Sequence, residues 1–251
     1  MSPLTCAIET AREAGLRLLH RSGYLEIGEK GTRGDLVTAA DRESERFIVE
    51  RLLAAFPNSA VLAEEGTALA GRSDERWIVD PVDGTTNYAH GYPLYCVSIA
   101  YERAGEVLAG AIYAPVLDQL YAAERGAGAT CNGIAIAVSS TAALGDALVC
   151  TGFVPAKFER NGDNFARLSH VAQAVRRDGS AALDLCFVAR GVFEAFWEYD
   201  LHAWDVAAGA LIVREAGGAV SACDGGPFEL TAGSILASNG RVHEALRKEL
   251  R

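Results

Sequence analysis

No two of the six cysteines (Cys6, Cys96, Cys131, Cys150, Cys186, Cys223) form a CxxC pair, and they stand too far apart for a dense disulfide framework. The spread argues against a zinc ribbon or a stapled mini-fold; such thiols act as small buried hydrophobes in a reducing compartment. Basic charge is scarce as well: 23 Lys and Arg face 33 Asp and Glu, for a net charge of -10. A surface of that sign repels phosphodiester backbones, which argues against nucleic acid as the primary ligand. No window holds the roughly 18 consecutive apolar residues that a membrane span requires. The N-terminal "MSPLTCAIETAREAGLRLLHRSGYLEI" lacks the basic start and unbroken apolar stretch of a secretory signal. The expectation is a soluble, cytoplasmic protein.

What is present is apolar mass and acid. Half of the 251 residues are hydrophobic, enough to bury the core of one large domain or two small ones sharing an interface. In residues 4–20, Ile8, Ala11, Gly15 and Leu18 or Leu19 recur at helical spacing, and a second helix is expected from Arg42 to Phe56, stopped by Pro57-Asn58. "AVLAEEG" (60–66) reads as a short strand ending in acids, and "DERWIVD" (74–80) as a strand apolar enough to be buried on both faces. "VSIAY", "EVLAGAIYA" and "QLYAAE" form a meander separated by turn residues. Beyond about Ser140 the pattern alternates: "ALVCTGF" strand, "DNFARLSHVAQAV" helix, "SAALDLCFVAR" helix, "VFEAFWE" strand, "DVAAGALIVREAGG" helix, "SILASN" strand and "RVHEALRKEL" helix. The reading is a mixed α/β protein in helix and sheet layers, with two subdomains, 1–140 and 141–251, and a site between them.

The acids fall at the ends of elements. In "WIVDPVDGTT" (77–86), Asp80 stands where a buried strand emerges, Pro81 interrupts ladder pairing, and Asp83 follows three residues on. Such a turn can aim two carboxylates and the Val82 carbonyl into one space, beside free amides of Gly84 and Thr85 at a helix start that favour an anion. The plainer alternative is a β-turn with Asp83 as an N-cap. Glu64-Glu65, Asp205 in "HAWDVAAG", and Thr38 and Asp41 in "DLVTAADRESE" each have a bland reading as solvated acid or helix cap. Taken together they offer the several oxygen ligands that a hard divalent ion seeks.

The chain resembles the inositol monophosphatase family, magnesium-dependent and lithium-sensitive phosphatases related to fructose-1,6-bisphosphatase. "WIVDPVDGTTNYAHGYPLYCVSIA" (77–100) is similar to that family's first signature and "HAWDVAAGALIVREAGGAV" (202–220) to its second; "GDLVTAADRESE", "AEEG", "DGSAALDLCFVARG" and "GPFEL" fit in order and spacing across nearly the whole length. The resemblance implies a layered αβαβα sandwich of the sugar-phosphatase type. It implies that Glu64, Asp80 and the Val82 carbonyl hold a first Mg2+, that Asp80, Asp83 and Asp205 hold a second, and that Glu64 shares a weaker third. Thr85 with Glu64 would orient the attacking water, with Asp41 supporting Thr85. The amides of Gly84 and Thr85 would hold phosphate, and Asp83, Ala181 and Glu198 would contact an inositol ring. Lys30 corresponds to a lysine near the family's mobile metal loop. Two departures are visible: Ala63 where many members have glycine, and a short stretch between Glu65 and Trp77.

The chemistry agrees with the resemblance. A phosphate monoester dianion resists hydroxide, and metal-assisted in-line attack needs carboxylates rather than a basic nucleophile. The five histidines are scattered without an RHG motif, and there is no Cys-x5-Arg loop. His202 either lines the pocket or is structural; Arg176 and Arg177 either reach the site or an interface, or are solvated. The expected activity is hydrolysis of inositol monophosphate. The same chemistry on fructose-1,6-bisphosphate, histidinol phosphate or adenosine 3',5'-bisphosphate stays open, because metal ligands see only the phosphate. A third reading is a fold-retaining protein with a regulatory partner, since some bacterial relatives act in transcription complexes. The resemblance further implies a homodimer.

Overall fold

The computed structural model describes residues 1–21, 27–29, 36–153 and 158–251, with side chains for 1–20, 39–153 and 158–251. Lys30 and the side chain of Thr38 therefore lie outside the described residues. The chain opens with helix α1 (Pro3–Arg21), strands β1 (Ile27–Glu29) and β2 (Leu36–Thr38), which pair antiparallel, and helix α2 (Ala39–Ala55). There follow β3 (Ala60–Ala63), β4 (Ala68–Leu69), β5 (Glu75–Asp83), the short helix α3 (Thr85–Ala89), β6 (Cys96–Arg103), β7 (Glu106–Ala114), β8 (Gln119–Glu124), β9 (Ala129–Cys131) and β10 (Ile134–Ala135). After a 3-10 turn at Leu144–Asp146 come β11 (Leu148–Thr151), α4 (Phe158–Leu168), β12 (Ala174–Arg176), α5 (Ala181–Ala189), β13 (Ala195–Tyr199), α6 (Ala203–Glu215), β14 (Ala219–Ser221), β15 (Ser234–Ser238) and α7 (His243–Glu249).

Strands β3 to β10 build an eight-stranded sheet in the order β10-β9-β8-β7-β6-β5-β3-β4, antiparallel except for β3 beside β5. The second sheet runs β12-β11-β13-β15-β14, parallel at β12-β11-β13 and antiparallel beyond. Helices α1 and α2 cover one face of the first sheet. Its other face meets α5 and α6, which also touch the second sheet, while α4 and α7 pack against β13 and β15. The layering expected from the resemblance is thus the observed one. Among the described residues no helix is long and apolar enough to cross a membrane.

Helix α6 explains why the middle layer holds. Every residue from Val206 to Val213 is buried, as a helix sandwiched between two sheets requires. Its small side chains allow close approach: a Cβ on Gly110 of β7 would lie 3.0 Å from the Cα of Ala208. Under α1 and α2, Trp77 is fully buried, with its ring centroid 5.3 Å from that of Phe56 and 5.0 Å from that of Tyr101. Such aromatic pairs add about 0.5–1.5 kcal/mol each beyond their buried area.

Three boundaries differ from the sequence reading. The strand expected to stop at Asp80 continues to Asp83, with a register shift between them, so Pro81 and Val82 are absorbed in a bulge instead of ending the strand. The helix read over 163–175 is α4 at Phe158–Leu168, and Ala174–Arg176 instead pairs with β11. Strand β3 ends at Ala63, so Glu64 and Glu65 belong to the turn beyond it. All six cysteines are buried and unpaired.

Candidate active site

The bulge at the end of β5 decides where the acids point. Asp80 is fully enclosed (2 % exposed), and its Oδ1 accepts the amide of Val82 at 3.0 Å. Burial pushes its carboxyl well above the usual range; the charges of Glu64, Asp83 and Asp205, in that order, push further, and Glu64 hydrogen-bonds to it. Three acids from separate elements thus crowd the fourth closely enough to disfavour its charge. Glu64 comes from the turn after β3, its amide bonded to the Val79 carbonyl at 3.2 Å.

Asp83 is not the cap of α3. That position is Gly84, whose φ of 90° lies in the left-handed region, and no side chain caps it. Instead Asp83 Oδ2 accepts the Ser180 hydroxyl and the Ala182 amide, each at 2.7 Å, and faces the Cys96 thiol at 3.7 Å. Burial raises its carboxyl to about 6, against which the Ser180, Ala182 and Cys96 bonds pull downward while Glu64 pushes up. Helix α5, which Ala181 opens, is thereby tied across the middle layer to the first sheet. Asn87 makes a second tie: its amide donates to Leu94 O at 2.6 Å and Asp178 O at 2.8 Å.

Asp205 is the third residue of α6 instead of its cap; its carboxylate accepts the His202 amide at 2.6 Å, and the His202 side chain accepts the reciprocal bond of a capping box. His202 also stacks on Trp204, the structural member of its two readings.

Thr85 Oγ1 lies 2.8 Å from Asp41 Oδ1 and 3.1 Å from the Val82 carbonyl, two acceptors for one hydroxyl hydrogen. Asp41 sits inside the first turn of α2 and is wholly buried. Glu198 of β13 is also buried; desolvation raises its carboxyl well above the usual range, Asp205 and Asp83 add to this, and Arg177 eases it. A Cβ on Gly152 would collide with the Glu198 carboxylate, so only glycine leaves room there. Arg177 donates to Phe153 O at 2.6 Å, whereas the Arg176 side chain donates to its neighbour Val175 O.

Glu64, Asp80, Asp83 and Asp205 therefore face one another, with Glu198 beside them and the Thr85–Asp41 pair adjoining through Val82. Two groups escaped the sequence reading. Glu45 accepts the Glu65 amide at 2.6 Å and both the amide and hydroxyl of Thr67, clamping the turn that carries Glu64. Ser44 donates to Pro81 O at 3.2 Å and pins the bulge. Their signal was available: Asp41, Ser44 and Glu45 stand at i, i+3 and i+4, in line with buried Ile48, Val49 and Leu52. Ser180 and Cys96 carried no pattern of their own.

The profile of the inositol monophosphatase family matches residues 1–251. An inositol-1-monophosphatase from Synechocystis sp. is 44% identical over 98% of this chain and 88% of that protein. A protein from Pseudomonas aeruginosa named Nus factor SuhB is 41% identical over 97% of this chain and 93% of its own length. Among solved structures, the extragenic suppressor protein suhB from Bartonella henselae superposes with a TM-score of 0.94 at 38% identity, covering 98% of this chain and 97% of that one.

Proposed function

The chain belongs to the inositol monophosphatase family and is a phosphatase, and from that premise we propose that it hydrolyses inositol monophosphate to inositol and phosphate with Mg2+ as cofactor. The observation that carries the proposal is the crowding of Glu64, Asp83 and Asp205 on buried Asp80. Carboxyls crowded on buried Asp80 repel it unless protons or a cation intervene, and an all-oxygen donor set suits a hard divalent ion. The donors fit: Glu64, Asp80, Asp83, Asp205 and the Val82 carbonyl would hold two or three Mg2+. Ions held by these residues would supply activation of water and neutralisation of charge developing on the phosphoryl oxygens.

The chain's own groups do the rest. The Thr85 hydroxyl would donate its hydrogen to Asp41, which would leave its lone pair to receive a hydrogen from the attacking water. Glu64 takes the proton that water loses. The amides of Gly84 and Thr85, at the start of α3, bind phosphate oxygens and orient the ester. Asp83, Ala181 and Glu198 line the side where a polyol ring would lie, and the Glu198 carboxyl supplies hydrogen bonds to ring hydroxyls. Lys30 is assigned to the metal loop by resemblance alone. Lithium competes for a Mg2+ position, and the buried unpaired cysteines favour the reducing cytoplasm as the working compartment; a homodimer completes the proposal.

A panel of phosphate monoesters assayed with Mg2+ and with chelator tests this. Inositol monophosphate should rank first, with activity lost on chelation and in Asp80→Asn. Turnover that persists without divalent ions would sink the metal reading, and preference for fructose-1,6-bisphosphate or another ester would sink the substrate alone. The name Nus factor on a 41% identical relative supports a second reading, in which this chain also has a protein partner. Binding of a defined partner that survives Asp83→Asn while hydrolysis disappears would establish both roles.

A further inference from the structure

One buried carboxyl outside the acids around Asp80 has no assigned task. Asp184, in the first turn of α5, is 1 % exposed, and among the described residues its oxygens meet no donor stronger than the Cys150 thiol. A carboxyl hidden from water with only a weak thiol donor is unfavourable unless something else satisfies it. It faces two further ligand-bearing groups, Cys150 of β11 and Asp178 in the turn after β12; one donor atom from each of the three lies within 4.8 Å of the others. Cys150 is fully buried, and Asp178 is partly buried. Burial pushes the Asp184 carboxyl well up, the Asp178 charge adds to that, and the thiol eases it. The Cys150 thiol is raised in turn, by burial and then by Asp184 and Asp178. Three acidic groups held this close disfavour one another's charge, which a cation relieves.

We propose that Cys150, Asp178 and Asp184 form a binding site for a thiophilic divalent ion of the zinc class, distinct from the carboxylates around Asp80. The donor set decides the class. One sulfur with two carboxylate oxygens suits a borderline-soft tetrahedral ion, with water as fourth ligand, and not Mg2+, which takes oxygen alone. Donors around a tetrahedral zinc stand about 3.3–3.8 Å apart, so uptake draws the trio together by about 1 Å. Asp178, the one of the three that water reaches, gives the entry side. Uptake expels the thiol proton and any proton held by the carboxyls to solvent. The two acids also flank Ser180 and Ala182, which hold Asp83, so the ion clips both ends of the segment that supports the active site.

The test uses full-length, chelator-stripped protein titrated with Co2+ as a spectroscopic stand-in for zinc. One equivalent should raise a thiolate-to-cobalt charge-transfer band that is lost in Cys150→Ser and Asp184→Asn but retained in Asp80→Asn and Cys96→Ser. Absence of the band, its survival in Cys150→Ser, or its loss in Cys96→Ser or Asp80→Asn would overturn the site, the last two because the ion would then sit beside Asp83. Should the core variants fail to fold, a wild-type crystal soaked in zinc decides: an anomalous peak bonded to Cys150 supports the site, and no peak there overturns it.

Discussion

Asp80 combines a structural bond with a destabilising charge, and the two separate by mutation. Asparagine at this position can still accept the Val82 amide through its oxygen, yet carries no charge for Glu64, Asp83 and Asp205 to repel. Asp80→Asn should therefore melt higher than wild type in the metal-free state, by roughly 2–4 °C for each kcal/mol of repulsion relieved. It should also lose about a thousandfold or more in turnover, as expected when several kcal/mol of transition-state stabilisation disappear. Calorimetry with chelator and steady-state kinetics with Mg2+ read the two effects; an apo melting point below wild type would show that the carboxylate is a structural cap. Asp83 adds a pH signature. Its carboxyl is raised from an ordinary value of 3.8 to about 6, first by burial, so the folded protein holds that proton more tightly than the unfolded one. Stability from this group is full below about pH 4 and falls as pH rises towards about 6. Apo melting curves of wild type and Asp83→Asn should diverge over that window, and parallel curves would refute the shift. The acids themselves were legible, because "WIVDPVDGTT" and "HAWDVAAG" place carboxylates at element ends. Their partners Ser180 and Cys96 were not, since the contacts to Asp83 span 97 and 13 residues of sequence and depend on layer packing.

At the scale of elements, the bulge of β5 and the first turns of α2 position the site jointly. Glu45 binds the turn of Glu65 and Thr67 through both carboxylate oxygens. Glu45→Ala leaves those amides without their acceptor and lets Glu64 wander. The expected result is a higher Mg2+ requirement with kcat largely recovered at saturating Mg2+, measured by metal titration of activity; a kcat loss that no Mg2+ concentration restores would mean that Glu45 acts in the chemistry itself. Gly84 makes a sharper case. With φ at 90°, and a Cβ that would stand 3.0 Å from Leu94 O, Gly84→Ala pays for left-handed backbone with ~1–2 kcal/mol and displaces the amides proposed to bind phosphate. Its KM should rise along with the stability loss, and an unchanged KM would remove those amides from phosphate binding. Long amphipathic elements were readable because periodicity survives any context. The bounds of α4 were not, although a helix was read over 163–175: Asn161 and Gly162 weaken the helical signal at its start, yet Asn161 is buried and accepts from Tyr199 N at 3.2 Å, while Gly162 takes the Phe158 ring against it. The residues after it, Ala174–Arg176, read as more helix because nothing local announces the parallel neighbour β11.

At the scale of the whole molecule, the acids converge only because two sheets share one middle layer. Glu64, Asp80 and Asp83 hang from the first sheet, Asp205 from α6 and Glu198 from the second sheet. The divalent ion proposed to bind among them would bridge layers, and its binding energy would add to the stability of the whole chain. At a free ion concentration a hundred times Kd, one site contributes about 2.7 kcal/mol, which for a chain of this size lifts the melting point by roughly 5–10 °C. The net charge of -10 offers a competing explanation, since any salt screens self-repulsion in so acidic a protein. The two separate cleanly. Screening is reproduced by NaCl at equal ionic strength and is indifferent to a single buried residue, whereas site binding needs Mg2+ and Asp80. Calorimetry of chelator-stripped protein should show the rise with Mg2+, little of it with matched NaCl, and little with Mg2+ in Asp80→Asn. A full rise in that variant would place the stabilising ion elsewhere on the surface, and the bridging of layers through the site would fail with it.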